Sequence, residues 1–401
     1  MKRGSFMKSI GAVAGGLMLK NHSFAESMRV EYPELAKHKI EKADIITLDY
    51  HWPRLVGRNG TKDVHGQYNK STVLRIKTDQ GAEGWGMTDK KVSESLANVI
   101  GKKVNELVTP DHGLVNGFNT FHFDFAMFDL MGVILQKPVY QILGAQGPTS
   151  LPVYSGMIYI DELPYKEWKG GIDVILQNCA WDYNHGYRQL KIKIGRGNKW
   201  YPAKEGMAMD IKVVNMVYDT YKSKGVDVLV DANNGYTVQD TMTFLEGIKG
   251  IPLYWMEEPF PEQMDDGKKL RSWMDKNGFE KTKYADGEWV WPDANDVALE
   301  MVRQGVVNTY LNDIHAYGIT NWIKAMPILK KANADGSPHA WGDQLKTHYA
   351  THLAAGLGNI STIEGVTCIS DDIDYGNYPI KDGKISVSRE PGFGMKILKK
   401  N

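Results

Sequence analysis

Beyond Leu151 the chain alternates short apolar segments with longer stretches of helical length, and the apolar segments have the residue types of buried strands. Strands that alternate with helices form a parallel sheet. Eight of them in succession favour a closed (β/α) barrel over an open doubly wound sheet. The predicted strands are 153–159, 189–194, 226–231, 253–257, 283–288, 307–313, the neighbourhood of His339, and 360–365.

The segments on either side of the predicted barrel have a different pattern. Alternation predicts strands at 42–50 and 72–78, and helical periodicity predicts helices at 93–108 and 121–135. Residues 28–150 are therefore expected to form an α+β domain, followed by a barrel over 151–368. In the last segment, 369–401, an Asp-Gly turn within 380–387 predicts a hairpin, and this tail is expected to return to the N-terminal domain.

The first 27 residues have the pattern of an export signal. Lys2 and Arg3 precede an apolar run at 10–19 that is too short to remain as a membrane-spanning helix. The segment from Arg3 to Lys8 is similar to a twin-arginine signal, with Gly4 in place of the second arginine. We expect an exported, periplasmic protein, with a cytoplasmic protein carrying an inconsequential tail as the alternative. No other segment approaches a membrane span, so the mature chain is expected to be soluble.

Composition narrows the class of partner. The chain has 48 basic and 48 acidic side chains, so no basic excess exists to bind nucleic acid. Its two cysteines, Cys179 and Cys368, form neither a disulfide framework nor a thiolate metal site. No Gly-x-Gly-x-x-Gly follows a predicted strand, which removes the main support for a dinucleotide cofactor.

Ionisable residues stand at the ends of the predicted barrel strands. Successive members are separated by 26, 31, 25, 26 and 25 positions, which is the length of one strand–helix unit; they are Asp231, Glu257, Glu288, Asp313, His339 and Glu364. The carboxyl ends of barrel strands face one shared pocket. Helix N-capping is the alternative explanation, but it accounts for one or two acidic residues rather than six positions in phase.

Three of these carboxylates suggest a metal site. Asp231, Glu257 and Glu288 would repel each other unless a cation lay between them, and an all-oxygen set suits Mg²⁺. The pattern alone does not decide between Glu257 and Glu258. Asn233, two positions after Asp231, is expected to point the same way and to orient Asp231 or contact substrate.

The same pocket is expected to contain acid–base groups. Lys191 and Lys193 lie on one face of a predicted strand, and two buried ammonium groups lower each other's pKa. A solvated edge strand with two surface lysines is the alternative. Asp313 and His339 follow neighbouring strands, so the carboxylate would fix the imidazole tautomer. His348 and His352, four positions apart, are interpreted as packing residues.

This set of motifs resembles the enolase superfamily, specifically its mandelate racemase-like subgroup. The resemblance runs from about residue 41 to the end, with one departure at Ala316-Tyr317-Gly318, where relatives often have paired glycines. The motifs are Lys191-Ile192-Lys193, Asp231-Ala232-Asn233, Glu257-Glu258-Pro259, Gly287-Glu288-Trp289, Asp313 with Gly318-Ile319-Thr320, His339, Asp382-Gly383-Lys384-Ile385 and Pro391-Gly392-Phe393-Gly394.

The resemblance implies a capping domain, completed by the C-terminal tail, over a modified (β/α)₇β barrel. It implies Mg²⁺ held by Asp231, Glu288 and the first glutamate of Glu-Glu-Pro, Glu257. Lys193 would be a base on one face of the substrate α-carbon and His339, supported by Asp313, would act on the other. Which of them takes the first proton stays open. Lys191 would pair with the substrate carboxylate, and a protonated Glu364 would hydrogen-bond to the same group.

The reaction implied by the resemblance begins with removal of the proton α to a carboxylate. We expect dehydration of a sugar acid to a 2-keto-3-deoxy acid, with racemisation, epimerisation or cycloisomerisation of an anhydro-sugar acid as alternatives. A sugar-acid binding protein without catalytic activity is the alternative from another class. Arg54 and Arg58, in a polar capping segment with His65 and Tyr68, are expected to contact the substrate. Relatives suggest a homo-oligomer.

Overall fold

A computed structural model describes residues 32–115, 121–288 and 296–399. The predicted export signal and Trp289 lie outside these ranges. The strands are β1 (Ile40–Val56), β2 (Gly66–Thr78), β3 (Glu83–Met87), β4 (Val108–Thr109), β5 (Gly113–Leu114), β6 (Ser150–Ile158), β7 (Gln189–Lys193), β8 (Asp227–Asp231), β9 (Trp255–Glu257), β10 (Lys283–Asp286), β11 (Thr309–Tyr310), β12 (Asp335–Gly336), β13 (Ile363–Gly365), β14 (Ile373–Asp374), β15 (Ile380–Lys381), β16 (Lys384–Ser386) and β17 (Lys396–Ile397).

The helices surround the central strands and link them. They are α1 (Val104–Leu107), α2 (Asp124–Leu135), α3 (Val139–Ile142), α4 (Asp173–His185), α5 (Arg196–Lys199), α6 (Ala203–Tyr221), α7 (Val238–Gly247), α8 (Met264–Lys276), α9 (Val297–Arg303), α10 (Ile314–Lys331) and α11 (Gln344–Leu357). Short 3-10 helices cover Leu35–Lys37, Lys90–Asn98, Phe121–Phe123 and Lys222–Lys224. None of the described helices combines the length and apolar character needed to cross a bilayer.

Strands β6 to β13 form the predicted barrel. Each of β6 to β11 pairs in parallel with the next strand, and β13 pairs in parallel with β6. A parallel bridge between Gly336 of β12 and Ile360, three residues before β13, closes the ring. The register places Lys193 beside Asp231 and Asp231 beside Glu257. The predicted fold class is therefore confirmed, and the ionisable residues of adjacent strands lie at one level.

Alternation along the strands separates the barrel interior from the helix layer. Tyr154, Leu229, Trp255, Ala285 and Leu311 pack together in one cluster, as expected for the inward-facing positions. The residues between them, such as Ile192, Val230 and Met256, belong to the large core that includes the helices. Asp231 and Glu257 each lie two positions after an inward-facing residue, Leu229 and Trp255. Lys191 and Lys193 pair in register with Leu229 and Asp231. All four side chains therefore face the barrel interior.

The capping domain is built on the antiparallel sheet β1-β2-β3. Helix α2 lies against β3, where a Cβ on Gly86 would come within 2.4 Å of the Phe125 Cβ, so this close contact requires glycine. The helix predicted at 93–108 is wrong: Gly101, with φ of +78°, separates the 3-10 helix Lys90–Asn98 from α1. Helix α2 begins at Asp124 rather than at 121.

The C-terminal segment contacts both domains. The predicted hairpin forms as β15 and β16, but β16 pairs with β6 of the barrel, Ile385 opposite Leu151. The following residues reach the capping domain, where Phe393 N–H donates to Asp129 Oδ1 at 2.8 Å and Trp85 Nε1 donates to the Met395 carbonyl at 3.3 Å. The tail thus ties the cap to the barrel.

Candidate active site

The two lysines of β7 are buried inside the barrel, with 0% and 3% of their surface exposed. This excludes the solvated edge strand. Lys191 Nζ lies 2.7 Å from Glu257 Oε1, 2.9 Å from Glu364 Oε1 and 3.5 Å from Asp231 Oδ2. Burial disfavours its charge, but Glu257 and Glu364 outweigh this and raise the Lys191 pKa well above its usual value. The predicted depression of the Lys191 pKa is therefore wrong.

Lys193 contacts the other side of the same carboxylate group. Its Nζ donates to Asp231 Oδ2, and the Asp231 Oδ1 accepts the Asn233 N–H at 2.8 Å. Burial would raise the Asp231 pKa, but Lys193 and Lys191 lower it to about 2. Asp231 is accordingly an ionised group at the centre of the lysine pair.

The geometry separates Glu257 from Glu258. Glu257 faces the barrel interior, where one oxygen binds Lys191 and the other, Oε2, has no hydrogen-bond partner among the described residues. Glu258 follows the end of β9 in a left-handed conformation, with φ of +40°. It lies in a second group of carboxylates with Glu262 and Asp286, whose oxygens are all within 4.8 Å of one another.

Glu288 lies beyond β10 and reaches His339 across the pocket. Its Oε1 is 3.2 Å from His339 Nε2, and its Oε2 has no hydrogen-bond partner among the described residues. The predicted trio of Asp231, Glu257 and Glu288 does not form a group with oxygens within 4.8 Å of one another. Each of the three instead contacts a lysine or an imidazole.

His339 is oriented by Asp313. Asp313 caps α10 with Oδ1, which accepts from the N–H groups of His315 and Ala316, so Oδ2 is left to face His339 Nδ1 at 2.8 Å. Lys346 Nζ lies 2.8 Å from the same oxygen. Burial opposes ionisation of Asp313, but Lys346 and His339 hold its pKa well below its usual range. The strand predicted around His339 ends earlier, at Gly336.

Glu364 lies between the two flanks of the pocket. It accepts from Lys191 and from the Ala340 N–H, at 2.9 Å and 2.7 Å, and its Oε2 is 3.7 Å from His339 Nε2. Burial alone would raise its pKa, but Lys191 and His339 lower the Glu364 pKa. Glu364 is therefore favoured in its ionised form in this arrangement, and its predicted hydrogen bond to the substrate carboxylate stays a prediction.

Asn233 is not part of a strand, because β8 ends at Asp231 and Asn233 has φ of +46°. The expectation that it points with Asp231 by strand alternation is wrong. Its backbone N–H nevertheless orients Asp231, and its Nδ2 is 3.4 Å from both Asp231 Oδ2 and Glu258 Oε2. A role in contacting substrate stays a prediction.

Arg54 and Arg58 have protein partners. Both terminal nitrogens of Arg54 bind the buried Asp182 of α4 at 2.8 Å, and Nη2 also donates to the Met157 carbonyl. Arg58 binds the exposed Asp63 at 2.9 Å and lies over the Trp200 ring. This geometry gives their predicted contact with substrate no support, since the charge of each is already paired.

His348 and His352 pack beneath the C-terminal tail, as expected. His348 stacks on Tyr378, with 3.7 Å between ring centroids, and His352 accepts from the Tyr140 N–H at 3.1 Å. Burial lowers the pKa of each to about 3. Neither side chain contacts the carboxylates of the pocket.

The sequence did not single out Tyr159, Trp341 or Lys346. Tyr159 follows β6, and its ring centroid is 5.3 Å from Lys193 Nζ and 4.8 Å from the Trp341 ring. Trp341 stands two positions after His339, which was the one available signal. The pocket therefore joins an acidic centre to a lysine on one flank and an imidazole on the other, inside a capped (β/α) barrel.

Comparison with known proteins places this arrangement in a family. A sequence model described as "Enolase C-terminal domain-like" matches residues 176–401. The chain belongs to the enolase superfamily and is an enzyme of that superfamily, similar to its mandelate racemase-like members.

Two solved structures of one dehydratase are similar to this chain. Galacturonate dehydratase from Geobacillus sp., solved with D-galacturonate and 5-keto-4-deoxy-D-galacturonate, has a TM-score of 0.82 and 27% identity over 90% of this chain and 95% of its own. A mutant of that enzyme, solved with Mg, matches with a TM-score of 0.82 and 26% identity over 90% and 94%.

Two curated sequences that are similar to this chain differ in their reactions, one being a dehydratase and the other a racemase. Arabinonate dehydratase from Saccharolobus solfataricus is 23% identical over 280 residues, 68% of each chain. N-succinyl-L-Arg/Lys racemase from Bacillus cereus is 23% identical over 379 residues, 86% of this chain and 93% of its own.

Proposed function

We propose that this enzyme removes the proton α to the carboxylate of a sugar acid in a Mg²⁺-dependent reaction, and that the reaction continues by loss of a β-hydroxyl to give a 2-keto-3-deoxy acid. The observation that carries the proposal is the placement of Lys193 and His339 on opposite flanks of one acidic pocket. The likeness to galacturonate and arabinonate dehydratases supports a sugar acid as the substrate class.

One residue of the pocket removes a proton from the substrate and another donates one. Lys193 takes the α-proton from one face of the substrate. His339, as an imidazolium stabilised by Asp313, gives a proton to the departing hydroxyl on the other flank. Lys191 places a permanent charge beside the substrate carboxylate, because its own pKa is raised.

The carboxylates suit Mg²⁺. Asp231, Glu257 and Glu288 supply only oxygen ligands, and the buried Glu257 Oε2 and Glu288 Oε2 lack hydrogen-bond partners in the described part of the chain. When bound, the cation would supply positive charge to the substrate carboxylate as negative charge develops on it. Related structures solved with Mg support the assignment.

Racemisation or epimerisation is the second candidate. Two acid–base groups on opposite flanks allow one to remove the proton and the other to return it to the opposite face, and a racemase is among the relatives. Cycloisomerisation uses the same first step. These outcomes differ in product, so a product assay separates them.

The test is a screen of aldonic, aldaric and anhydro-sugar acids with Mg²⁺ in deuterated solvent. We expect deuterium at the α-carbon or in the product, and formation of a 2-keto acid from at least one substrate. An exposed-lysine variant, Lys222→Ala, serves as the matched control because Lys222 lies at the surface, where it pairs with Asp219 and lies over the Tyr218 ring. Absence of both exchange and product in the folded, Mg²⁺-supplied enzyme would refute the proposal.

We also propose export of the protein to the periplasm and assembly into a homo-oligomer. The pattern of residues 1–27 supports the first, and membership of the enolase superfamily implies the second. Cell fractionation of the full chain and light scattering of the purified protein test them, and a cytoplasmic monomer would contradict both.

A further inference from the structure

Residues 57–65 of the capping domain, here called the mouth loop, lie directly on the carboxyl ends of the barrel strands. Gly57 N–H donates to Asp161 Oδ1 at 2.8 Å, beyond β6. Asn198 Nδ2 donates to the Gly60 carbonyl at 2.9 Å, and Trp200 Nε1 donates to the Asn59 carbonyl at 2.6 Å. The loop is therefore held in place by residues that follow β6 and β7.

The mouth loop also comes very close to the acidic centre. Ala232 is the residue after Asp231. A Cβ on Gly60 would lie 2.5 Å from the Ala232 carbonyl oxygen. Only glycine permits that approach. The mouth loop therefore lies against the segments that follow β7 and β8.

The His65 ring packs against two aromatic residues of the pocket. Its centroid is 4.9 Å from the Tyr159 ring, in an edge-on arrangement, and 5.9 Å from the Trp341 ring. The centroid of the Tyr159 ring is also 5.3 Å from Lys193 Nζ, and Trp341 is two positions from His339. His65 thus packs on an aromatic ring that also contacts Lys193, and beside the segment that carries His339.

The hydrogen bonds of His65 define its tautomer. Nδ1 is 2.8 Å from the Gly57 carbonyl oxygen, which only accepts, so Nδ1 carries the hydrogen and Nε2 has a lone pair. No described residue hydrogen-bonds to Nε2. Burial, with a further contribution from Lys193, lowers the His65 pKa to about 4, so the imidazole is neutral at pH 7. A neutral imidazole with a free lone pair accepts from a hydroxyl.

We propose that His65 is a substrate-binding residue whose Nε2 accepts a hydrogen bond from a substrate hydroxyl remote from the reacting carboxylate, while Tyr159 and Trp341 pack against the adjacent C–H groups. The inference rests on the proposed function. It assigns recognition of the hydroxylated end of the sugar acid to His65. It also explains how that end is recognised although Arg54 and Arg58 are paired elsewhere.

The test compares His65→Asn with wild type. The asparagine amide can still donate to the Gly57 carbonyl from the position of Nδ1 but leaves nothing at the position of Nε2. The probes are whichever of D-galactonate, D-gluconate and L-arabinonate the wild type turns over fastest, and the monodeoxy forms of that acid. Loss of one hydrogen bond between neutral groups should raise KM for the parent acid about 2- to 12-fold, with little change in kcat.

The monodeoxy acids separate binding from structure. For the acid that lacks the recognised hydroxyl, wild type and His65→Asn should have the same KM within about twofold. The matched control is His51→Asn, because His51 also binds a backbone carbonyl, that of Trp52, at 3.0 Å but packs on Tyr68 outside the pocket. This control should leave every KM unchanged.

A second variant covers a failure of His65→Asn to fold. In His65→Gln the amide oxygen reaches the position of Nε2, so the KM for the parent acid should stay closer to that of wild type than it does in His65→Asn. If His65→Asn does not fold, the KM of His65→Gln for the parent acid should lie within about threefold of the wild-type value. An unchanged parent KM in His65→Asn, or an equal rise for the parent and all deoxy acids, would overturn the inference while the wild type stays active. A wild type inactive toward all sugar acids would overturn the proposed function together with it.

Discussion

His339 Nδ1 lies 2.8 Å from Asp313 Oδ2, and the other oxygen of Asp313 caps helix α10. One carboxylate therefore fixes both the start of the helix and the tautomer of the imidazole. Since Nδ1 is held by Asp313, Nε2 is the nitrogen that faces the pocket, where it meets Glu288 and Glu364. The acid–base role of His339 depends on this arrangement.

Asp313→Asn should abolish dehydration and leave removal of the α-proton. Asparagine caps a helix as well as aspartate, so α10 should persist. Its amide, however, stabilises no imidazolium, and loss of a positioned acid costs about 10²- to 10⁴-fold in rate. Asp343→Asn is the control, because Asp343 caps α11 in the same way and does not contact His339. Equal rates of dehydration in Asp313→Asn and wild type would contradict the role of Asp313.

Glu257→Gln should weaken Mg²⁺ binding, which thermal or chemical unfolding measures without any substrate. At Mg²⁺ one hundredfold above its wild-type Kd, binding adds about 2.7 kcal/mol to the free energy of unfolding, and a tenfold weaker site adds about 1.4 kcal/mol. The exposed Glu246→Gln should behave as wild type. If Glu258→Gln weakened binding and Glu257→Gln did not, the metal would belong to the Glu258–Glu262–Asp286 group.

Arg54→Ala should destabilise the protein rather than change its substrate preference. It leaves the buried carboxylate of Asp182 without its bidentate partner, and removing one member of a buried pair costs about 3–5 kcal/mol. Replacing both residues by leucine should cost less. Arg58→Ala breaks a pair with the exposed Asp63, worth about 1 kcal/mol or less. Urea unfolding and KM measurements check this; an altered KM with unchanged stability would contradict it.

His352→Asn should reduce the loss of stability in mild acid. His352 Nδ1 accepts from the Tyr140 N–H, so the folded state holds the ring neutral and its pKa is lowered to about 3. The unfolded chain binds a proton near pH 6.5, so this stability is present above that pH and is lost as pH falls toward 3. From pH 7.5 to 5.5 the loss that His352 contributes is about 1.4 kcal/mol. Urea unfolding should show a smaller loss in His352→Asn, and His112→Asn, at an exposed position, should match wild type.

The sequence predicted the barrel and the pocket, because both depend on patterns that repeat along the chain. The strand alternation at Lys191 and Lys193, and the spacing from Asp231 to Glu364, led to the barrel and to the pocket because both follow from periods of two residues and of one strand–helix unit. The pattern alone did not decide between Glu257 and Glu258; the resemblance implied Glu257, and the structure shows that Glu257 faces the barrel interior.

Contacts between distant segments were not predictable. Arg54 hydrogen-bonds to Asp182, which is 128 positions away in the sequence. The His65 ring packs against Trp341 only because the cap folds onto the barrel. The pKa of Lys191 was misjudged for the same reason, since the neighbouring lysine was visible in the sequence while its contacts with Glu257 and Glu364 were not.

The most direct test of the account compares Lys193→Ala and His339→Asn for exchange of the α-proton and for formation of 2-keto acid, on the same sugar acid with Mg²⁺. The account predicts that Lys193→Ala loses both, and that His339→Asn retains exchange with solvent deuterium but forms no keto acid. Exchange that persists in Lys193→Ala and disappears in His339→Asn would contradict it, and would make His339 the base.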